Sequence, residues 1–216
     1  MRSKEPVEYV LGSVKTKDLH LYVDRSVLIP RVETEILIEY ALEKMDLKEA
    51  RVLDLCTGSG ILGLSIKKRR PAFDVTLVDI SKEALLVAEK NGKRNQLEVE
   101  YILGDLLEPI GERIFEYVLC NPPYVSEEEY EHLDSGVRDF EPKIALVGGE
   151  DGLFFYRKLA ETLPAHLALG GKVFFEIGFS QGESVLKIFS GPMWKNQEIK
   201  KDFAGWDRFL FVEKVG

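Results

Sequence analysis

The chain has 216 residues, and 45% are hydrophobic, enough for one domain with a real core and at most a small appendage. Its 37 acidic residues outnumber 29 basic ones, a net charge of −8, which argues against a nucleic acid as partner because phosphate backbones are held by clustered Lys and Arg. No apolar run approaches bilayer length, so no membrane association is expected.

Met1 leads into Arg2-Ser3-Lys4-Glu5-Pro6, with no signal-peptide core behind it. Cys56 and Cys120 stand in no metal-ligand spacing, so no metal is expected, and a reducing, cytoplasmic setting is the simplest reading. Residues 9–23 carry β-branched and aromatic residues around Lys15-Thr16-Lys17-Asp18, which predicts a β-hairpin. Residues 1–30 are thus expected to form a hairpin and linker, and residues 31–216 the main domain. Ile36, Leu37, Tyr40, Ala41 and Leu42 have helical spacing within Glu33–Met45, just after Pro30.

From residue 51 strands and helices alternate. Strands are predicted at Val52–Leu55, Val75–Asp79, Val99–Leu103, Tyr117–Cys120 and Gly171–Ile177. Helices are predicted at Ile61–Lys68, from Ser81 through Asn91, at Leu153–Leu167 and at Glu183–Phe189. Gln197–Lys201 and Arg208–Val212 are two further strands, and Val125–Glu150 reads as a long Glu- and Pro-rich loop. Its Glu127-Glu128-Glu129 run, with Glu131, reads as mobile and solvated, and Lys67-Lys68-Arg69-Arg70 as a solvated helix face. This alternation predicts an α/β, Rossmann-like fold with a seven-stranded, mostly parallel sheet.

Ligands of such sheets sit beyond the carboxyl ends of the strands. Four polar residues fall there: Asp54, Asp79, Asp105 and Asn121. Cys56-Thr57-Gly58-Ser59-Gly60 follows the first strand, and its glycines let the backbone approach a ligand closely. Alone it would be only a tight βα turn. Asp79, about 20 residues on, stands where a carboxylate takes ribose hydroxyls. A strict Gly-x-Gly-x-x-Gly is absent, which suits S-adenosylmethionine better than a dinucleotide. Asp105 could accept from an adenine amino group, and Leu106 could cover the ring.

Asn121-Pro122-Pro123-Tyr124 is the most informative stretch. The prolines remove two backbone donors, which leaves the Asn121 side-chain oxygen and the Pro122 carbonyl as acceptors. A planar NH2 group has two hydrogens that need such acceptors. Its nitrogen is a poor nucleophile because the lone pair is delocalised. Gripping both hydrogens orients it and favours charge moving toward a methyl group. Tyr124 can pack on the planar group and face a sulfonium. No base is needed before transfer, and His20, His132 and His166 have no partner that would make one.

The sequence resembles the HemK/PrmC family of protein-(glutamine-N5) methyltransferases. The likeness runs through Glu8–Gly12, Val27–Glu35, Asp54–Gly60, Asn121–Tyr124 and Glu141-Pro142. It continues through Ala145-Leu146, Gly148-Gly149, Asp151-Gly152, Tyr156-Arg157, Glu176–Gly178, Gln181-Gly182 and Asp202–Arg208. The Asn-Pro-Pro-Tyr segment is shared with DNA adenine methyltransferases; the Pro-Arg-x-Glu-Thr-Glu and Gly-Gly-x-Asp-Gly blocks are more specific. The resemblance implies a class I methyltransferase domain over 31–216. It implies methyl transfer from S-adenosylmethionine to a glutamine in the Gly-Gly-Gln loop of a peptide-chain release factor. It implies a cofactor site at Cys56–Gly60, Asp79, Asp105, Leu106 and Asn121. It implies an acceptor site at Asn121, Pro122, Pro123 and Tyr124, with Arg31 and Glu33 near the same cleft. Family members carry a small helical domain ahead of the hairpin, and this chain starts almost at the hairpin, as a short form or a fragment. Position 56 is Cys where the family usually has Gly, and position 32 is Val where Pro is common. The alternatives are a DNA or RNA adenine-N6 methyltransferase, and a homologue that binds the cofactor without catalysis.

Overall fold

A computed structural model describes residues 5–216; the first four residues of the expected N-terminal unit lie outside the described residues. Seven strands form one sheet: β3 (Arg51–Leu55), β4 (Asp74–Asp79), β5 (Glu100–Leu103), β6 (Phe115–Cys120), β7 (Leu167–Glu176), β8 (Trp194–Lys201) and β9 (Asp207–Lys214). Their spatial order is β5-β4-β3-β6-β7-β9-β8. The first five are parallel, β9 runs antiparallel to β7, and β8 antiparallel to β9. The chain moves outward one way from β3 to β5 and the other way from β6 to β7. The strand order therefore reverses between β3 and β6, the position where such sheets open a ligand crevice.

Side chains alternate between the two faces. Val52, Tyr117, Leu119, Phe174, Phe209 and Phe211 point to one apolar cluster, which is closed by α2 (Val32–Lys44) and α3 (Ile61–Arg69). Leu53, Leu55, Val118, Cys120, Val173 and Phe175 point to the other, which is closed by α7 (Phe154–Thr162) and α8 (Gly182–Ile188). Both faces are covered, which is why these strands read as continuous apolar runs.

The N-terminal region differs from a plain hairpin. Val7–Leu11 is a short helix, α1, and only β1 (Ser13–Lys15) and β2 (His20–Tyr22) pair. Gly12 closes α1 with φ +64, a left-handed cap that glycine adopts without strain. The hairpin is fastened to α4 (Lys82–Arg94): the Tyr22 N–H donates to Asn91 Oδ1 at 2.6 Å, and Asn91 Nδ2 donates to the Tyr22 carbonyl at 3.0 Å. Leu19 and Leu21 lie in the same cluster as α2 and α3.

The Val125–Glu150 segment is not one loop. It holds α5 (Glu127–Glu131), α6 (Ser135–Arg138) and a 3-10 turn at Lys143–Ala145. Ser126 and Glu129 form a reciprocal capping box that starts α5 at the acidic run. The helix expected to reach Leu167 stops at Thr162, because Pro164 turns the next three residues into a 3-10 turn. β7 consequently begins at Leu167, four residues earlier than expected. Lys68, Arg69 and Arg70 are exposed, as expected of a solvated face.

Candidate active site

Two cavities open at the carboxyl ends of the strands, and Asn121 is in the lining of both. The first is lined by Cys56–Ser59 after β3, Asp79–Ser81 after β4, Gly104–Leu106 after β5, and Ser26, Val27 and Leu28 of the linker. The second is lined by Arg31, Tyr124, Glu129, Phe179, Gln181 and Arg208, among others. Asn121, Leu28 and Ala145 line both.

The glycine loop is shaped by two buried carboxylates. Asp54 is fully buried within β3, accepting from the Thr57 hydroxyl at 2.6 Å and the Gly63 N–H at 2.8 Å. Burial pushes its carboxyl up to about 7, against the pull of those two hydrogen bonds. Its Oδ1 has no hydrogen-bond partner among the described residues. Asp79 accepts from the Gly58 N–H at 2.8 Å and the Ser81 N–H at 2.9 Å, and burial raises its carboxyl. Each Asp79 oxygen keeps a further lone pair for a ligand.

Cys56 sits at φ +55, a conformation that favours glycine, so the cysteine here carries backbone strain of about 1–2 kcal/mol. Gly58, at φ +53, has no atom within 4 Å of where a Cβ would stand, so its face of the cavity is open. An acidic end at Asp79 and an apolar wall from Ile80, Leu106 and Phe155 suit a ribonucleoside-type ligand. Asp105 also lines this cavity, but its Oδ2 is paired with Lys158 Nζ of α7 at 2.6 Å. Gly60 does not line it. Gly60 caps α3 at φ +85, where a Cβ would come within 2.8 Å of Leu64 Cδ1.

The Asn-Pro-Pro-Tyr segment is braced from behind. Gln181 Nε2 donates to the Tyr124 carbonyl at 2.9 Å, and the Val125 N–H donates to the Leu146 carbonyl at 2.9 Å. A Cβ on Gly148 would lie 2.4 Å from the Pro123 carbonyl oxygen, and one on Gly152 would lie 2.2 Å from the Tyr124 carbonyl oxygen. Gly148 and Gly152 of the Gly-Gly-x-Asp-Gly block are therefore glycines because their backbone lies directly on the segment. Pro122 and Pro123 are buried; Pro123 lines the first cavity and Pro122 lines neither.

Arg31 lines the second cavity and forms an ion pair with the buried Glu141. Glu33, on the first turn of α2, lines neither cavity. Reasoning from the sequence missed Thr34 and Glu176 as site residues. The Thr34 hydroxyl donates to Glu176 Oε2 at 2.8 Å, the Tyr124 hydroxyl donates to Glu176 Oε1 at 3.3 Å, and Asn121 Nδ2 is 3.5 Å from Thr34 Oγ1. The one signal for Thr34, Glu176, Gln181 and Arg208 was their place inside blocks carrying the family resemblance.

A family model described as "Methyltransferase small domain" matches residues 32–135. A release factor glutamine methyltransferase from Thermodesulfovibrio yellowstonii is 40% identical over 215 residues, spanning 98% of this chain and 77% of that protein. One from Chlamydia trachomatis serovar L2 is 41% identical over 210 residues, spanning 96% and 72%. The chain belongs to the release factor glutamine methyltransferase family. Among solved structures, a methyltransferase from Pyrococcus furiosus superposes with a TM-score of 0.70 at 19% identity, covering 92% of this chain and 90% of the other. The hMettl16 catalytic domain, solved with an RNA hairpin, superposes at 0.71 with 17% identity, covering 92% and 76%. These two share the fold, a class I methyltransferase sheet, while the family is set by the closer relatives.

Proposed function

We propose that this chain methylates the side-chain amide nitrogen of a glutamine in a peptide-chain release factor, at its Gly-Gly-Gln loop, with S-adenosylmethionine as methyl donor. The observation that carries the reading is the position of Asn121, in the wall common to both cavities. The likeness to the release factor glutamine methyltransferases supports the choice of acceptor.

The first cavity would hold the cofactor, which supplies an electrophilic methyl group on a sulfonium. Asp79 would accept the ribose hydroxyls with its remaining lone pairs, while the backbone of Cys56–Gly58 would lie along the ligand. Asp105 and Leu106 would border the adenine, with the Asp105 charge partly answered by Lys158.

The second cavity would admit the glutamine side chain. The Asn121 side-chain oxygen would accept one of its two N–H bonds, and the Pro122 carbonyl, although Pro122 lines neither cavity as it stands, would accept the other. Held so, the nitrogen faces the first cavity with its lone pair aimed across the shared wall. Such alignment removes much of the entropic barrier to a two-body reaction. Tyr124 flanks the acceptor, held by its bond to Glu176. The nitrogen needs no base before transfer and loses its proton afterwards.

Asn121→Ala tests the assignment. Turnover should fall by at least about a hundredfold with cofactor affinity within a few-fold of wild type, because the side chain borders the cofactor cavity but gives its hydrogen-bonding oxygen to the acceptor. An equal loss of cofactor affinity would sink it.

A further inference from the structure

Glu176 ends β7 with 1% of its surface exposed, lies behind both cavities and lines neither. Among the described residues it has no ion-pair partner within 4.0 Å; the nearby Arg208 is paired with Asp202 at 3.3 Å. An unpaired carboxyl buried this deeply is costly. Packing alone does not explain its presence, because a methyl-bearing side chain would fill the same space.

We propose that Glu176 is a positioning residue that, through Thr34, fixes which way the Asn121 amide faces. This rests on the reading of Asn121 as the acceptor's grip. A threonine hydroxyl has one hydrogen. Here it is given to Glu176 Oε2 at 2.8 Å, so the Thr34 oxygen can only accept on its other side. The group it faces is the Asn121 NH2, at 3.5 Å. An amide carries NH2 on one side and its oxygen on the other. Holding the NH2 toward Thr34 leaves the oxygen for the acceptor. With the Thr34 hydrogen turned the other way, the amide would flip and present NH2 to the N–H bonds of the acceptor, donor against donor.

Glu176 Oε1 does the same for the opposite wall, taking the Tyr124 hydroxyl at 3.3 Å. The Glu176 backbone carbonyl takes the Tyr156 hydroxyl at 2.8 Å, which anchors the strand end. Burial pushes the Glu176 carboxyl up; the hydrogen bonds from Thr34 and Tyr124 and the charge of Arg208 pull the other way toward the ionised form, and Glu33 opposes that form. One carboxylate thus orders a chain of hydrogen bonds that ends at the residue shared by the two cavities.

The test compares Thr34→Val, Thr34→Ser, Glu176→Gln and the Thr34→Val/Glu176→Gln double variant on release factor, with cofactor affinity measured by calorimetry. Valine keeps the shape and removes the hydroxyl. Thr34→Val should lower kcat by about tenfold or more, with cofactor Kd within about twofold, and Thr34→Ser should restore kcat to within about threefold of wild type. Glu176→Gln should be at least as slow as Thr34→Val. The double variant should be no slower than the worse single, since both break one chain. Thr34→Val at wild-type kcat, Thr34→Ser as slow as Thr34→Val, or losses that multiply would each overturn the proposal. If wild-type protein methylates release factor and Asn121→Ala is inactive while Thr34→Val is not impaired, only the role of Glu176 falls. If wild-type protein leaves release factor unlabelled, the glutamine reading falls, and this proposal with it.

Discussion

Arg31 reaches across 110 positions of sequence to pair with Glu141, whose side chain is 1% exposed. The pair ties the start of α2 to the segment that follows Asn-Pro-Pro-Tyr. Glu141 also takes the buried Ile29 N–H at 3.2 Å, so it holds the linker over both cavities. Arg31 retains access to water and can be resolvated if its partner is lost. Glu141→Ala should therefore cost about 2 kcal/mol, less than a fully buried pair would. Urea unfolding of the two proteins measures this, and an unchanged midpoint would show that the contact carries no stability.

Gly152 is a second brace, at φ +72 with its backbone against Tyr124. Gly152→Ala combines left-handed strain with a methyl group 2.2 Å from the Tyr124 carbonyl oxygen. It should destabilise the protein by about 2 kcal/mol or more. Because the displaced residue borders the second cavity, kcat should drop further than cofactor affinity. Kinetics beside calorimetry would show this, and an equal fall in both would place the damage elsewhere.

Asp79 serves the loop and, in this account, the cofactor. Asp79→Ala removes the acceptor of the Gly58 N–H and the oxygens offered to ribose. Charge-assisted hydrogen bonds are worth about 1.5–3 kcal/mol each, so cofactor Kd should rise by at least about tenfold. Calorimetry with S-adenosylhomocysteine reads this directly; unchanged affinity would count against Asp79.

Asp54 gives the fold a pH dependence of known sign. Its carboxyl rises from the ordinary 3.8 to about 7 on folding, chiefly through burial. Between those values the folded protein keeps a proton that the unfolded chain has released. This contribution to stability is full below about pH 4 and is lost as the pH rises through about 7. Asp54→Asn should flatten that slope. Unfolding midpoints at pH 5 and pH 8 for both proteins provide the check, and an identical slope in the variant would contradict it.

The sheet was legible in the sequence because its central strands are apolar runs that end in Gly, Asp or Asn. Asp79 and Asn121 could be placed at the crevice for that reason. The Thr34–Glu176 contact was not legible, since the two residues are 142 positions apart and no local spacing links them. α1 was read as strand because Tyr9 and Val10 favour strands, although Pro6 and Gly12 bracket the run as they would a short helix. The early start of β7 follows from Pro164, which was present to be read as a helix stop. Gly148 and Gly152 looked like loop punctuation; their actual reason is contact with the Asn-Pro-Pro-Tyr backbone, a tertiary feature.

The most direct test is methyl transfer from labelled S-adenosylmethionine to purified release factor, beside a release factor whose Gly-Gly-Gln glutamine is changed and beside duplex DNA. Label on the unmodified release factor alone is the predicted result. Label on DNA, or equal label on both release factors, would contradict the glutamine assignment.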